Sequence, residues 1–335
     1  MKFIEEYDNT DIKPCAATIG CFDGVHTGHR YLVKQVRDIA DEKGLGSALI
    51  TFPVHPRQVM QADYMPELLS CPAQKTSLIS SLDADYCIML PFTRQLSLLT
   101  AREFMELLLK RYNVRALVIG YDHRFGHYRT ETFEDYCRYG QERGMSVIKA
   151  EPLKCGITDT FISSSAIRKL LKSGDVVTAN RFLGYNYYID GTVTDGHKVG
   201  RKIGFPTANI IPSCPEKLIP ENGVYAVRVP IGNTVYKGML NIGNRPTLNN
   251  GSNISIEVHI IDFSGDIYHH PLRIEFVSRI RPEIKFASME VLIEQLEKDK
   301  TIISKNRIIL KTINEDIRRI RRFRRNTLGN RRNGI

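Results

Sequence analysis

From Ala16 to about Gly184 two textures alternate. Short apolar runs at Ala16 to Phe22, Ser47 to Phe52, Tyr86 to Leu90, Ala116 to Gly120 and Ser146 to Ala150 read as buried parallel strands. Between them apolar residues recur at helical spacing, as at Leu32, Val33, Val36, Ile39 and Ala40, and again at Phe104, Leu107 and Leu108. Repeated strand–helix units predict a doubly wound α/β domain with a parallel sheet, and such sheets bind ligands at the carboxyl ends of their strands. After Gly184 the runs become short and alternating: Tyr188 to Val193, Val224 to Val229, Val235 to Ile242, Ile254 to Ile261 and Leu272 to Val277. Turn residues such as Asp195-Gly196, Asn222-Gly223 and Asn250-Gly251 separate them, which predicts a small antiparallel β-barrel. A helix is expected over Ala287 to Lys298, where Val291, Leu292 and Leu296 share a face, and a last helix from about Thr301. The expected domains are 1–184 and 185–300, abutting without a low-complexity linker and followed by a basic segment, 301–335.

Composition narrows the class. The 335 residues are 42% hydrophobic and 25% charged, which suits a globular protein with two sizeable cores. No run approaches the roughly 18 to 20 apolar residues of a membrane span, and Met1 to Glu6 is too acidic for a signal peptide. The expectation is a cytoplasmic protein with no membrane contact. Seven scattered cysteines without a C-x-x-C pair signal neither a disulfide framework nor a cysteine-rich zinc site. The net charge of +10 raises the question of nucleic acid. Its location changes the answer, because residues 301–335 hold eleven bases against two acids, leaving 36 bases and 35 acids in the remaining 300 residues. The body is near neutral, so no nucleic-acid partner is expected of it, and the arginine-rich end is left as a solvated helix end or a weak polyanion contact. The sequence leaves the oligomeric state unknown.

Candidate chemistry begins at Phe22-Asp23-Gly24-Val25-His26-Thr27-Gly28-His29, placed after an apolar strand and before a helix. A helix N-terminus offers unpaired N–H groups and the positive end of the dipole, and two histidines three apart there face one anion. Gly24 and Gly28 let the backbone approach it. This suits attack on a nucleotide α-phosphate, each charge-assisted hydrogen bond contributing about 1.5 to 3 kcal/mol. A zinc pair or two surface histidines are the alternatives. Ser163 to Arg168 opens a further helix, so Ser164, Ser165 and Arg168 can grip other phosphates, or simply cap it. Gly120 to Gly126 follows a strand and carries polar groups including Asp122. No G-x-x-x-x-G-K-[ST] occurs, so a P-loop enzyme is excluded.

In the second half, Gly200-Arg201-Lys202-Ile203-Gly204-Phe205-Pro206-Thr207-Ala208-Asn209 combines a tight loop with basic charge. Thr207 and Asn209 offer hard oxygens of the kind Mg²⁺ accepts beside nucleotide phosphates. A basic hairpin followed by a strand is the plainer reading. Strand alternation in Ile254 to Ile260 puts Glu257 on the polar face, where a carboxylate can take the proton of an alcohol attacking a γ-phosphate. A solvated strand carboxylate is the alternative.

Together these motifs resemble the bacterial bifunctional riboflavin kinase/FAD synthetase family, over about Ala16 to Lys300. The resemblance implies an H-x-G-H nucleotidyltransferase fold in the first half and a riboflavin kinase barrel with C-terminal helices in the second. It implies ATP, riboflavin, FMN and FAD as substrates or products, with Mg²⁺. By it, His26 and His29 contact ATP phosphates, Asp122 lies near phosphates and flavin, and Ser164, Ser165 and Arg168 form a second phosphate motif. Thr51 to Arg57 is similar to the flavin-side loop, with His55, Pro56 and Arg57. Gly200, Arg201 and Gly204 belong to the kinase phosphate loop, Thr207 and Asn209 to Mg-ATP, Glu257 to the base for the riboflavin 5′-hydroxyl, and Arg281 and Phe286 to the flavin side. Three positions depart from the family pattern: His123 is usually aromatic, Ala166 often basic, and His269 usually glycine. The N-terminal half alone would also suit another phosphorylated acceptor, such as a cytidylyl or pantetheine-phosphate substrate. The arginine-rich end alone would suit RNA.

Overall fold

The computed structural model describes residues 1–5, 12–61, 63, 65–121, 123–128, 130–153, 161–195, 199–245 and 253–305. Asp122, residues 246–252 and the arginine-rich segment after Lys305 fall outside them. The chain divides into two compact units, one of Met1–Arg168 with Glu216–Leu218, the other of Lys169–Pro215 with the residues from Ile219 on.

The first unit holds six strands: β1 (Lys2–Ile4), β2 (Cys15–Ile19), β3 (Gly46–Thr51), β4 (Tyr86–Met89), β5 (Val114–Ile119) and β6 (Ser146–Lys149). All pair in parallel, in the order β1-β4-β3-β2-β5-β6. Five of the six lie close to the runs read from the sequence. β1 is the addition, three residues beginning at Lys2 and followed by Glu5, too short to show a period. Alternation within the strands assigns side chains to the two faces. Ala17, Ile19, Ala48, Ile50, Leu117 and Ile119 form one core with α5 (Ala101–Tyr112) and α6 (Phe133–Gln141). On the opposite face, Leu49 and Cys87 meet Val33 of α1 (Thr27–Lys43) and Ile79 of α3 (Pro72–Ser80). Two short helices, α2 (Pro56–Met60) and α4 (Arg94–Leu98), follow the carboxyl ends of β3 and β4. Strand order reverses between β2 and β5, so the crevice of a doubly wound sheet opens where Gly20 and Gly120 leave those strands.

Helix α7 (Ser164–Lys172) contains the division between the units, and α8 (Val176–Leu183) follows, capped by Asp175 and by Gly184 at φ 77°. The second unit is a closed antiparallel barrel of β7 (Tyr188–Thr194), β8 (Ala208–Pro212), β9 (Gly223–Ile231), β10 (Thr234–Arg245), β11 (Asn253–Ile260) and β12 (Pro271–Arg281), in the order β10-β11-β8-β7-β12-β9. A one-turn helix, α9 (Val199–Lys202), precedes β8. β8 is the strand that the sequence pattern does not show, because it lies inside the glycine-rich motif and carries the polar Asn209. The two C-terminal helices expected from the sequence are one, α10 (Met289–Lys305), as far as the described residues go. Its buried face runs through Leu292, Leu296, Asp299 and Ile303, whereas Val291 is 47% exposed and does not share it. His269 takes φ 62°, the left-handed region, where the family pattern has glycine.

Candidate active sites

The first site is built on the turn between β2 and α1. Phe22 and Val25 are held at φ 50° and 38°, unusual for any side chain and costly for a β-branched one. The strain brings His26 to the N-cap of α1, where its Nδ1 accepts the His29 N–H at 3.2 Å. Because Nδ1 is an acceptor, the proton of the neutral ring sits on Nε2. The two imidazoles stack at 3.6 Å between centroids, and His29 leans on Phe22 at 4.9 Å. Gly28 is required at this approach, since a Cβ there would stand 3.0 Å from the Ile162 carbonyl and 3.1 Å from the His26 ring.

Electrostatics here differ from the expectation of charge-assisted histidines. Burial, with the Arg168 guanidinium, lowers the His26 imidazole to about 3. Burial, then His26, Arg30 and Lys75, holds half-buried His29 well below its ordinary value. Both rings are therefore neutral near pH 7, and the fixed positive charge comes from Arg168 and Lys75. His29 Nδ1 is buried without a hydrogen-bond partner among the described residues. Stacked rings do not converge on one point, and no group of three or more His, Cys, Asp or Glu is placed to hold a metal ion among the described residues.

Arg168 does not stand open toward solvent. It donates to the Asp23 carboxylate, and its Nε donates to the Glu67 carbonyl at 2.7 Å. Ser164 Oγ donates to the Asp23 carbonyl at 2.9 Å, while Ser165 is exposed on the first turn of α7. Lys75, also buried, reaches the strand ends, its Nζ donating to the Phe52 carbonyl at 2.6 Å and the Cys21 carbonyl at 3.3 Å. Gly24 N–H donates to Ser70 Oγ at 2.8 Å. The structure thus gathers Gly24, His26, Gly28, His29, Ser164 and Arg168 around one turn, and adds Asp23, Ser70 and Lys75, which sequence reasoning did not assign.

Beside the turn lies a cleft of about 460 Å³. His55, Pro56 and Arg57 from α2 line it with His123 and Arg124, and Phe52, Phe92, Phe104 and Phe125 give it aromatic walls. His55 caps α2 by accepting the Arg57 N–H at 3.2 Å. Burial lowers its imidazole, with Arg168, Arg57 and Lys75 adding to the effect and Asp23 opposing it.

The second site sits on the outer face of the barrel. Met239 belongs to the core that includes Ile303 of α10, and opposed residues of neighbouring strands share a face. The pairs Met239–His259 and Asn241–Glu257 therefore lie on the side that α10 covers, whereas fully buried Leu240 and Val258 point inward. Glu257 has Asn241 across one strand boundary and Asn209 across the other. Its Oε2 accepts from Thr207 Oγ1 at 3.5 Å. A cleft of about 350 Å³ joins Gly200, Thr207, Asn241, Glu257, Arg281 and Phe286. His259 and Glu283 add further polar groups to the lining, and Met239, Leu292 and Leu296 add apolar ones. Gly200 packs against the Phe205 carbonyl, where a Cβ would meet it at 2.2 Å, and Gly204 turns the chain toward β8 at φ 83°. Arg201 lines an adjacent depression with Thr207, donating to the Tyr268 hydroxyl at 3.0 Å.

Arg281 is held from behind. Its Nε donates at 2.9 Å to Asp299, which is fully buried on α10 and also accepts from Gln295 at 2.8 Å, and the guanidinium lies 5.6 Å from the Phe286 ring. An acid at 299 in the stripe Leu292, Leu296, Asp299, Ile303 is a signal that helical spacing alone could have flagged.

Comparisons with known proteins agree on both halves. The FAD synthetase family profile matches residues 8–166, and the riboflavin kinase family profile matches residues 183–306. A bifunctional riboflavin kinase/FMN adenylyltransferase of Listeria monocytogenes is 38% identical over 87% of this chain and 91% of its own. Those of Bacillus subtilis and Escherichia coli K12 are 37% and 33% identical, covering 84% and 90% of this chain and 89% and 96% of theirs. A crystal structure described as a macrolide-efflux protein from Streptococcus pneumoniae is 30% identical, with a TM-score of 0.81, covering 91% of this chain and 99% of that one. That description names transport, but among the described residues here no helix is long and apolar enough to cross a membrane. With an FAD synthetase segment, a riboflavin kinase segment and relatives named for both activities that match over most of their length, the chain belongs to the bifunctional riboflavin kinase/FMN adenylyltransferase family.

Proposed function

We propose that the chain makes flavin cofactors in two steps. The barrel half transfers the γ-phosphate of ATP to riboflavin, giving FMN and ADP. The parallel-sheet half transfers AMP from ATP to FMN, giving FAD and diphosphate. The reading assigns these activities to 185–300 and 1–184, with 301–335 outside both. The observation that carries it is that each matched segment holds its own cleft, one lined by Ile19 and Cys21 just ahead of the stacked histidine turn and the other by Glu257.

In the first step Glu257 accepts the proton of the riboflavin 5′-hydroxyl as its oxygen attacks the γ-phosphorus, and the bond to the ADP oxygen breaks. Arg281 and Phe286 take the flavin side of the cleft. Thr207 and Asn209 fit Mg²⁺ carried by the nucleotide, because both offer hard neutral oxygens next to a carboxylate. When bound, the ion neutralises phosphate charge and orients the transferred group. Gly200, Arg201 and Gly204 shape the phosphate loop.

In the second step an FMN phosphate oxygen attacks the α-phosphorus of ATP and diphosphate leaves. His26 and His29 serve as neutral N–H donors to the phosphates, and the unpartnered His29 Nδ1 supports that role. Gly24, Gly28, Ser164, Ser165 and Arg168 complete the phosphate side, with Asp122 assigned near phosphates and flavin. An aromatic cleft bordered by His55, Arg57, His123 and Arg124 suits a flat ring with an anionic tail. The partners are small molecules, in a cytoplasmic setting, and any polyanion contact is left to the arginine-rich end.

Incubation of the protein with riboflavin and Mg-ATP, followed by separation of flavins, tests the reading. Both FMN and FAD are expected; formation of neither refutes it.

A further inference from the structure

Asp23 has no part in either proposed reaction, yet more of the first site hangs on it than on any residue assigned there. Its carboxylate is 5% exposed and accepts from Ser70 N–H at 2.8 Å, Ser70 Oγ at 3.1 Å, Leu69 N–H at 3.0 Å and the Arg168 guanidinium. Its backbone is tied as well, the carbonyl accepting from Ser164 Oγ and the following N–H, that of Gly24, donating to Ser70 Oγ. Three stretches distant in sequence therefore meet on one residue: the β2–α1 turn, residues 67–70 and the first turn of α7. The turn needs such a tie, because it holds two non-glycine residues, Phe22 and Val25, at positive φ.

A second consequence concerns charge. A buried carboxylate beside an anion site repels phosphate unless a cation neutralises it and faces the ligand in its place. Arg168 is that cation. A long arginine side chain has considerable rotamer freedom, and here two of its three nitrogens are engaged, one Nη by Asp23 and the Nε by the Glu67 carbonyl. Its remaining donors are thereby held at a set orientation next to the histidine turn.

We propose that Asp23 is a positioning residue for adenylyl transfer, acting through Arg168 and the histidine turn to fix the geometry that receives the ATP phosphates. This rests on the proposed FAD-forming reaction. Asp23→Asn keeps an acceptor oxygen for Ser70 and removes the charge that orients Arg168. In the full chain, FAD formation from supplied FMN is expected to fall at least tenfold, chiefly through a raised KM for ATP. FMN formation from riboflavin, assayed in the same preparation, is expected to stay within twofold of the unsubstituted chain. Arg168→Gln and the double variant complete a cycle in which the double variant loses no more than the worse single one, since both act on one contact. An unchanged or lowered KM for ATP in Asp23→Asn overturns the proposal, as do losses that multiply in the double variant. Parallel loss of FMN and FAD formation also overturns it, because that result assigns Asp23 to folding in general. An unsubstituted chain that makes FMN but no FAD refutes the underlying reaction, and the role of Asp23 falls with it.

Discussion

The histidine turn makes a quantitative prediction about acid. His26 goes from an ordinary 6.5 in the unfolded chain to about 3 when folded. Between those values the unfolded state binds a proton that the folded state refuses, so stability falls as pH drops below about 6.5 and levels off only near 3. Linkage gives a loss from this one group of about 2 kcal/mol between pH 7 and pH 5. His26→Asn removes the titration but leaves an acceptor oxygen where Nδ1 receives the His29 N–H, so the cap on α1 survives. Urea unfolding of the full chain, followed by circular dichroism at both pH values, measures the difference. The transition that the substitution moves is expected to weaken with acid by about 2 kcal/mol less in the variant than in the unsubstituted chain. Carboxylates and His29 titrate in both proteins and largely cancel. Parallel pH responses of the two proteins would refute a depressed His26, and with it the neutral-donor role assigned to the pair.

Other consequences are simpler to read. Glu257→Gln is expected to lower FMN formation by a factor of about a hundred or more, while FAD formation from supplied FMN persists; equal loss of both activities argues against two separate sites. Gly28→Ala puts a methyl group against the Ile162 carbonyl and the His26 ring, so FAD formation is expected to fall at least about tenfold with FMN formation intact, as separation of the flavins would show. Asp299→Asn breaks a buried ion pair, which typically costs about 3 kcal/mol or more, so the barrel is expected to melt several degrees lower and the KM for riboflavin to rise as Arg281 loses its anchor. A raised KM for ATP with riboflavin binding unchanged would count against that placement of Arg281.

Legibility in the sequence followed the kind of burial. The runs that became β2 to β5 are mostly buried, and the positions of β2 to β6 were readable to within three residues. β8 was hidden because its Ala208–Pro212 run serves two purposes, closing the barrel and presenting Asn209 beside Glu257. The grouping of Gly24, His26, Gly28 and His29 was legible because all four fall within one strand-to-helix turn at the start of α1. Asp23 and Lys75 were not, because each acts through a partner far along the chain: Asp23 through Arg168 and Lys75 through the Phe52 carbonyl. Helical spacing marks Asp299 as an acid in an apolar stripe, but only the fold reveals that it holds Arg281. The charge state of the histidines was hidden for the same reason, since it depends on burial and on Arg168, neither visible in the spacing His26 to His29.

The two clefts differ in a way that the two proposed reactions account for. In the barrel the attacking group is an alcohol, which must lose a proton as the new bond forms, and a carboxylate stands in the cleft at Glu257. In the parallel-sheet half the attacking group is a phosphate, already ionised near pH 7, so no base is required there. The described residues lining that cleft accordingly include His55, Arg57, His123, Arg124 and His127 but no Asp or Glu. The buried acid nearest the histidine turn, Asp23, is committed to four donors and so is spent on geometry. Keeping His26 and His29 neutral fits the same logic. Their task is to donate N–H groups to an anion that arrives charged; the standing charge of Arg168 and Lys75 attracts that anion, while burial first and the neighbouring cations second keep the imidazoles from titrating. Adenylyl transfer, assayed as FAD formed from supplied FMN, is therefore expected to stay nearly flat from pH 6.5 to 8.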